Sequence, residues 1–470
     1  MAELFSWVYR LLHSKLLGVL VILAMAVLAL FGTLIVQMPS GTAHDPALRA
    51  EWVESVRPRY GGWTGVLDFL GFFSLWTSPL FLGVTVLLAA SIIACTTHRL
   101  PQLIRRAQHP RTHVSDKFFD HAQYRAEMVL PMSAPEALDH ARDTLTGRGY
   151  RILPDERDPG TGLYADRFRY GPFGTVLAHA SFVIILAAFA ISAFTGLERA
   201  LDIPVGESVE VGGGTGLQVL ASSFRDTYDP EGRPLDYVSH LVVSKDGAQA
   251  GEADVRVNSP LVVDGIAFHQ ASFGVAASLE VKDAAGRVRF KGAVPLRWQS
   301  QDNRHAIGKV TPDGTSTEIV VVTPASGTVG SSIKPGSAVL EFYDATNGAK
   351  LSVAPVDPGG SASAQGLTAT FIREQRYTGI IARRDPGAMW MWVGSTLLVL
   401  GSIMTFALRH RRLWVRVEEE GNSTLLRLAS AEKLDTTFDR HFRTLVARID
   451  ETAPSSQSSS SPTIEETVHA

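Results

Sequence analysis

The sequence predicts a membrane protein with four transmembrane α-helices and a large extracytoplasmic, mostly-β, sandwich-like domain between helices three and four. Three observations carry that expectation. Four long runs contain no Asp, Glu, Lys or Arg. Residues 198–385 alternate apolar and polar positions between recurrent turn signals. Lys and Arg gather beside one end of the apolar runs more than beside the other. Charged residues make up 19% of the 470, below the roughly 25% of soluble domains. The shortfall sits in those runs, which excludes a soluble enzyme.

Taken in order, residues 1–15 form a cytoplasmic N-terminus and 16–37 the first span. A bilayer core of about 30 Å needs about 20 apolar residues in a helix, and in lipid every backbone amide must be paired within the segment. A signal peptide has an apolar region of only about 7–15 residues, and Gln37-Met38-Pro39-Ser40 is a poor cleavage site. The first run therefore reads as a retained anchor. Residues 38–74 form an extracytoplasmic loop with Trp52, Tyr60 and Trp63 at the interface. The second span is 75–97, and its most apolar part begins at Pro79 and ends at Cys95.

A cytoplasmic loop follows over 98–170. Within it, residues 135–147 read as a helix closed by Gly147. The stretches Tyr150-Arg151-Ile152-Leu153 and Gly162-Leu163-Tyr164-Ala165 suggest a small strand pair. The third span is 171–197, with His179 its single ionisable group. The β-rich domain fills 198–385, with turn signals at Lys245-Asp246-Gly247, Ala284-Ala285-Gly286, Pro312-Asp313-Gly314 and Thr346-Asn347-Gly348. The fourth span is 386–408. Residues 409–470 form a cytoplasmic tail with a basic amphipathic stretch over 436–449, and a Ser-rich composition predicts disorder from about 454.

Charge sets the orientation. The side of the N-terminus collects Arg10, Lys15, Arg99, Arg105, Arg106, Arg111, Arg157, Arg167, Arg169, Arg409, Arg411, Arg412 and Arg416. The other side has Arg49, Arg199, Arg373, Arg376, Arg383 and Arg384. The excess predicts both termini in the cytoplasm. A net charge of −3 gives no electrostatic case for nucleic-acid binding. Cys95 is the single cysteine, so the chain cannot form an intrachain disulfide, a C-x-x-C redox pair or a C-x-x-C-H haem attachment site.

His179 is the leading candidate for chemistry. Ionisable residues inside membrane helices are costly and face a protein interior or a ligand, and a neutral imidazole about two turns into the span is also a good axial ligand for haem iron. The bland alternative is a histidine hydrogen-bonded to a neighbouring helix. His269 reads as a strand position. His98, His109, His113 and His121 fit no zinc spacing, so no metal site is expected. Trp390 and Trp392 read as an interfacial belt, and Gly212-Gly213-Gly214-Thr215-Gly216 as a turn. No Ser–His–Asp set or intramembrane carboxylate pair is present, and no catalytic residue is assigned.

Several pieces, in order, resemble the ResB (CcsB) family of cytochrome c biogenesis proteins. They are Ser14-Lys15 entering the first span and Gly32-Thr33-Leu34-Ile35-Val36-Gln37 leaving it, then Ala94-Cys95 with Arg99 behind. His179 follows, then the box Val257-Asn258 with Pro260-Leu261, Gly265 and Phe268-His269-Gln270. Last come Asp385-Pro386-Gly387 and His410-Arg411-Arg412 around the fourth span. The resemblance covers about 1–416. Val36 stands where the family usually has Pro, and His269 where it usually has an aromatic residue, so His269 is not expected to share a family role.

The resemblance implies a subunit of the system II haem delivery and ligation complex. Its partner would be a Trp-rich, ResC/CcsA-like membrane protein, and its client an apocytochrome c. Haem, transient and b-type, would be bound with His179 as an axial ligand. A separate thioredoxin-like reductase would keep the client's thiols reduced. The chain would be a non-catalytic or half-site part of a cytochrome c synthase (haem lyase) in a bacterial plasma membrane, since no transit peptide is evident. The competing reading is a membrane-anchored extracytoplasmic ligand-binding sensor; a transporter is weaker still, for want of repeats or broken spans.

Overall fold

The computed structural model describes residues 1–39, 46–231, 233–325, 331–433, 435–451 and 463–465. They form two compact units, one of 1–37, 69–190 and 387–470, the other of 38–68 and 191–386.

In the first unit four helices are long and apolar enough to cross a membrane: Lys15–Leu34, Pro79–Gln108, Gly171–Thr195 and Ala388–Ala407. The second is capped by Ser78, whose Oγ accepts from Phe81 N at 3.2 Å, with Pro79 preset in the first turn. It does not stop at residue 97 but runs on to Gln108. The uncharged run ends at Thr97, whereas Leu, Gln and Arg sustain a helix in water as well. An amphipathic helix, Ala2–Leu12, precedes the first span. The first two membrane helices meet where Gly18 faces Ser91, and Ser91 Oγ donates to Leu12 O at 2.8 Å.

The remaining part of this unit is an antiparallel six-stranded sheet in the order Arg151–Pro154, Gly162–Arg167, Arg411–Glu420, Ser423–Ser430, Tyr124–Leu130, Thr463–Glu465. The segment after the fourth helix, expected as a polar tail, supplies its two central strands. Leu413, Val415, Val417, Leu426 and Leu428 alternate onto one buried face. The helices Ala134–Gly147 and Thr436–Glu451 cover that face through Leu138, Leu145, Phe438, Phe442 and Leu445. Glu136 accepts from Ser133 N and Oγ at 3.0 and 2.7 Å, closing the start of the former helix. The loop and the tail are thus halves of one α/β module. Apart from 463–465, the stretch expected to be disordered from about 454 lies outside the described residues.

The second unit is built on two 18-residue antiparallel strands, Ile266–Asp283 and Leu367–Arg384. Register shifts at Gln270/Ser272 and Ser278/Leu279 change which residues are buried. Ile266, Phe268 and Gln270 are buried first, then Ala277, Leu279 and Val281. A one-residue slip exchanges the faces of a strand, so one strand pair serves two cores. Phe268 and Ile380 pack with Val219, Leu241 and Val243 of a four-stranded sheet. Leu279 and Phe371 pack with Ile319, Leu340 and Phe342 of a five-stranded sheet. Between them Ser239 Oγ donates to Gln270 Oε1 at 2.5 Å, and Gln270 Nε2 donates to Thr378 Oγ1 at 3.0 Å. The β-rich sequence therefore forms two sandwich-like packings that share the long strand pair, rather than one sandwich of short strands. Residues 38–68, expected as a loop, contain the helix Pro46–Tyr60.

Candidate functional site: a histidine between membrane helices

Helix three presents small residues at a spacing of seven, Gly174, Ser181 and Ala188, all buried. Gly174 meets Gly401, and Ser181 meets Gly394, of helix four. A Cβ on Gly401 would lie 2.8 Å from both Ala178 N and Gly174 O, and one on Gly174 would lie 2.5 Å from Thr405 Oγ1. Such stripes let backbones approach in the absence of a hydrophobic drive between helices. His179 is one residue, and therefore about 100°, around the helix from Ala178. It points away from that seam, toward helix two.

There Thr96 Oγ1 lies 2.9 Å from His179 Nδ1. Phe81 and Phe189 meet edge-to-face at 5.8 Å nearer the other ends of the same two helices, which therefore run antiparallel. The hydroxyl can hold the imidazole with Nδ1–H donated and the lone pair on Nε2. Nε2 has no hydrogen-bond partner among the described residues, nor is it sealed in, since no fully buried side-chain nitrogen or oxygen among them lacks a partner. An oriented, neutral imidazole with one nitrogen open is the form that ligates a metal, and the hydrogen bond at the other nitrogen fixes its aim.

Two residues after Thr96, His98 faces the opposite side of helix two. It stacks on His13, with ring centroids 4.3 Å apart and planes 15° apart. His13 Nδ1 lies 2.6 Å from Tyr9 O, and the Tyr9 hydroxyl lies 3.1 Å from Thr97 Oγ1. The same end of the bundle thus carries His13 just before helix one, His98 on helix two and His179 on helix three. Neither Thr96 nor His13 was singled out in the sequence. The available signal was the polar pair Thr96-Thr97 closing an otherwise apolar run.

The other candidates lie elsewhere. His113 Nδ1 is 2.9 Å from Asp155 Oδ1 and 3.9 Å from Asp158, a grouping with metal-ligand chemistry. Arg416 is also 3.6 Å from Asp155, which accepts from Arg157 N at 2.8 Å as well. Burial raises the Asp155 carboxyl, but hydrogen bonds from Arg157 N, His113 and Asp158 N outweigh it and hold the group below its ordinary value. The cluster reads as an ion-pair network. His109 is exposed, and His121 Nδ1 lies 2.8 Å from Lys117 O. His269 sits opposite Ile381 in the second unit. Trp390 and Trp392 are exposed in the first turns of helix four.

A model of the ResB-like family matches residues 16–443. A cytochrome c biogenesis protein CcsB of Thermosynechococcus vestitus is 26% identical over 484 aligned positions, covering 97% of this chain and 98% of that protein. The CcsB of Synechococcus elongatus is 25% identical, covering 76% of this chain and 75% of its own. Among solved structures, cytochrome c heme lyase CcmF aligns with 73% of this chain and 43% of that one at 13% identity, with a TM-score of 0.23, too low to equate the folds. On the span of the family match, which takes in all four membrane helices and both units, this chain belongs to the ResB-like family.

Proposed function

We propose that the chain works in cytochrome c biogenesis of the system II type, as the membrane subunit that takes up haem and, with a ResC/CcsA-like partner, delivers it to apocytochrome c. The observation that carries this reading is His179, held by Thr96 with Nε2 open at one end of the bundle. The name shared by relatives that span nearly the whole chain supports it. The sensor reading gains no support from either.

In this reading both termini and the α/β module are cytoplasmic, the β-rich unit is outside, and His179 is an axial ligand to haem in transit. Haem is cargo here and leaves with the client. In the joining step each cysteine thiol of the client's C-x-x-C-H adds across a haem vinyl group. A carbon–sulfur bond forms, the thiol proton ends on the neighbouring vinyl carbon, and no oxidant is consumed. The thiols must be reduced. Cys95, alone in helix two, cannot reduce a disulfide by exchange, so a separate thioredoxin-like protein supplies that step.

The test is covalent haem on a reporter apocytochrome c in a maturation-deficient host that expresses the ResC/CcsA-like partner. The intact chain should be required for attachment, and His179→Ala should abolish it. Attachment independent of this chain would overturn the reading. Attachment that needs the chain but tolerates His179→Ala would keep the function and remove the ligand.

A further inference from the structure

We propose that the cleft between the α/β module and the adjoining membrane-helix ends binds the phosphate headgroup of an acidic phospholipid. The cavity measures 700 Å³, and its lining includes Leu103 and Arg106 on the extension of helix two, Arg111 just after it, Arg169 just before helix three, and Arg412 and Trp414 just after helix four. Three connections to membrane helices therefore converge on it.

Its charge is only partly compensated. Arg412 Nε donates to Glu432 at 3.1 Å, and His410 Nε2 lies 3.1 Å from Asp166. Arg106, Arg111 and Arg169 have no carboxylate partner among the described residues, although Arg169 lies 4.7 Å from the centre of the Tyr170 ring. Three guanidinium forks around one cleft match the oxygens of a phosphate. An anion from outside the chain can therefore pair with them.

Position selects a lipid. Arg106 lies about 14 Å beyond Thr97 at 1.5 Å per residue, and a long side chain can reach back toward the interfacial layer. Arg169 lies two residues before Gly171, where helix three begins. Leu103, Phe118 and Trp414 add an apolar wall that suits an acyl or glycerol segment better than a free ion. Basic pockets between membrane-helix ends take acidic headgroups in this way.

The experiment measures lipid bound to the purified full chain by native mass spectrometry. Phosphatidylglycerol and cardiolipin are added to detergent micelles, with phosphatidylcholine as reference. The expected result is retention of the acidic lipids. It should weaken roughly fivefold per guanidinium removed, and on the order of a hundredfold in the triple Arg106→Gln, Arg111→Gln, Arg169→Gln variant. The triple Arg→Lys variant, which keeps the charge but not the forks, should bind between the wild type and the Gln triple, and its residual binding shows that the module is folded. Equal loss in a control triple, Lys117→Gln, Arg142→Gln, Arg440→Gln, would overturn the site in favour of diffuse surface charge. Full displacement by inorganic phosphate, or by haem with no acidic lipid retained, would overturn a lipid as the occupant.

Discussion

Thr96 Oγ1 and His179 Nδ1, 2.9 Å apart, join the second and third membrane helices at the level where the uncharged run of helix two ends. The contact constrains an imidazole that would otherwise rotate about its side-chain bonds, and it leaves the other ring nitrogen available.

On the haem ligation by His179 proposed above, Thr96→Val should weaken haem binding without removing the ligand. Loss of a hydrogen bond behind a metal-bound histidine costs about 10–100-fold in affinity. Haem retained by the purified protein, read from its Soret absorbance, should fall by that order. It should recover in Thr96→Ser, which keeps the hydroxyl. Unchanged retention in Thr96→Val would show that the ring is oriented by something else.

The seam between helices three and four predicts a sharp contrast among glycines. Gly401→Ala forces a methyl to within 2.8 Å of backbone atoms at Gly174 and Ala178, where no flexible side chain can yield. Overpacking of this kind costs about 1–3 kcal/mol. Gly83, in helix two, has nothing within 4 Å of an added Cβ, so Gly83→Ala should be neutral or slightly stabilising. Thermal unfolding in detergent should separate the two, and equal melting temperatures would remove the seam.

Asp166 ties the α/β module together. It accepts from Arg151 Nε and Nη2, both at 2.8 Å, and His410 Nε2 lies 3.1 Å away. Burial pushes its carboxyl up, but the hydrogen bonds from His410 and Arg151 prevail and hold it below the ordinary 3.8. A depressed carboxyl contributes stability above its unfolded value and loses it as the pH falls through the folded one. Asp166→Asn should cost about 1–3 kcal/mol near neutral pH by removing the charged acceptor of the half-buried Arg151 guanidinium. The gap in melting temperature between wild type and variant should close below pH 3.8. A gap that persists in acid would assign the effect to packing.

The four spans and the strand-rich character of 198–385 were legible because both rest on local pattern, uncharged length in one case and alternation in the other. His179 was legible for the same reason, as one ionisable group in an apolar run. What could not be read was pairing across long separations. Leu413 and Val415 lie buried beside Leu163 and Ala165 in one sheet. Nothing local to 411–430 says that its partners are some 250 residues earlier, so that segment looked like a polar tail. Thr96 was missed because a threonine in a membrane helix commonly bonds its own backbone, as Thr97 does with Ile93 O. The register shifts in Ile266–Asp283 were hidden because a bulge interrupts the alternation by which a strand is recognised.

Orientation yields the last prediction. Cys95 is the native thiol and lies in helix two, so Cys95→Ser gives a background without one. On it, Ser361→Cys places a thiol on an exposed strand position of the β-rich unit, and Thr146→Cys places one on the exposed face of the Ala134–Gly147 helix. With the β-rich unit outside, a membrane-impermeant maleimide should label Ser361→Cys in intact cells and Thr146→Cys only after permeabilisation. The reverse pattern would invert the topology, and with it the direction of haem movement. His179 lies closer to the α/β module's end of helix three than to the other, so the side on which that module sits is the side from which His179 can first be reached.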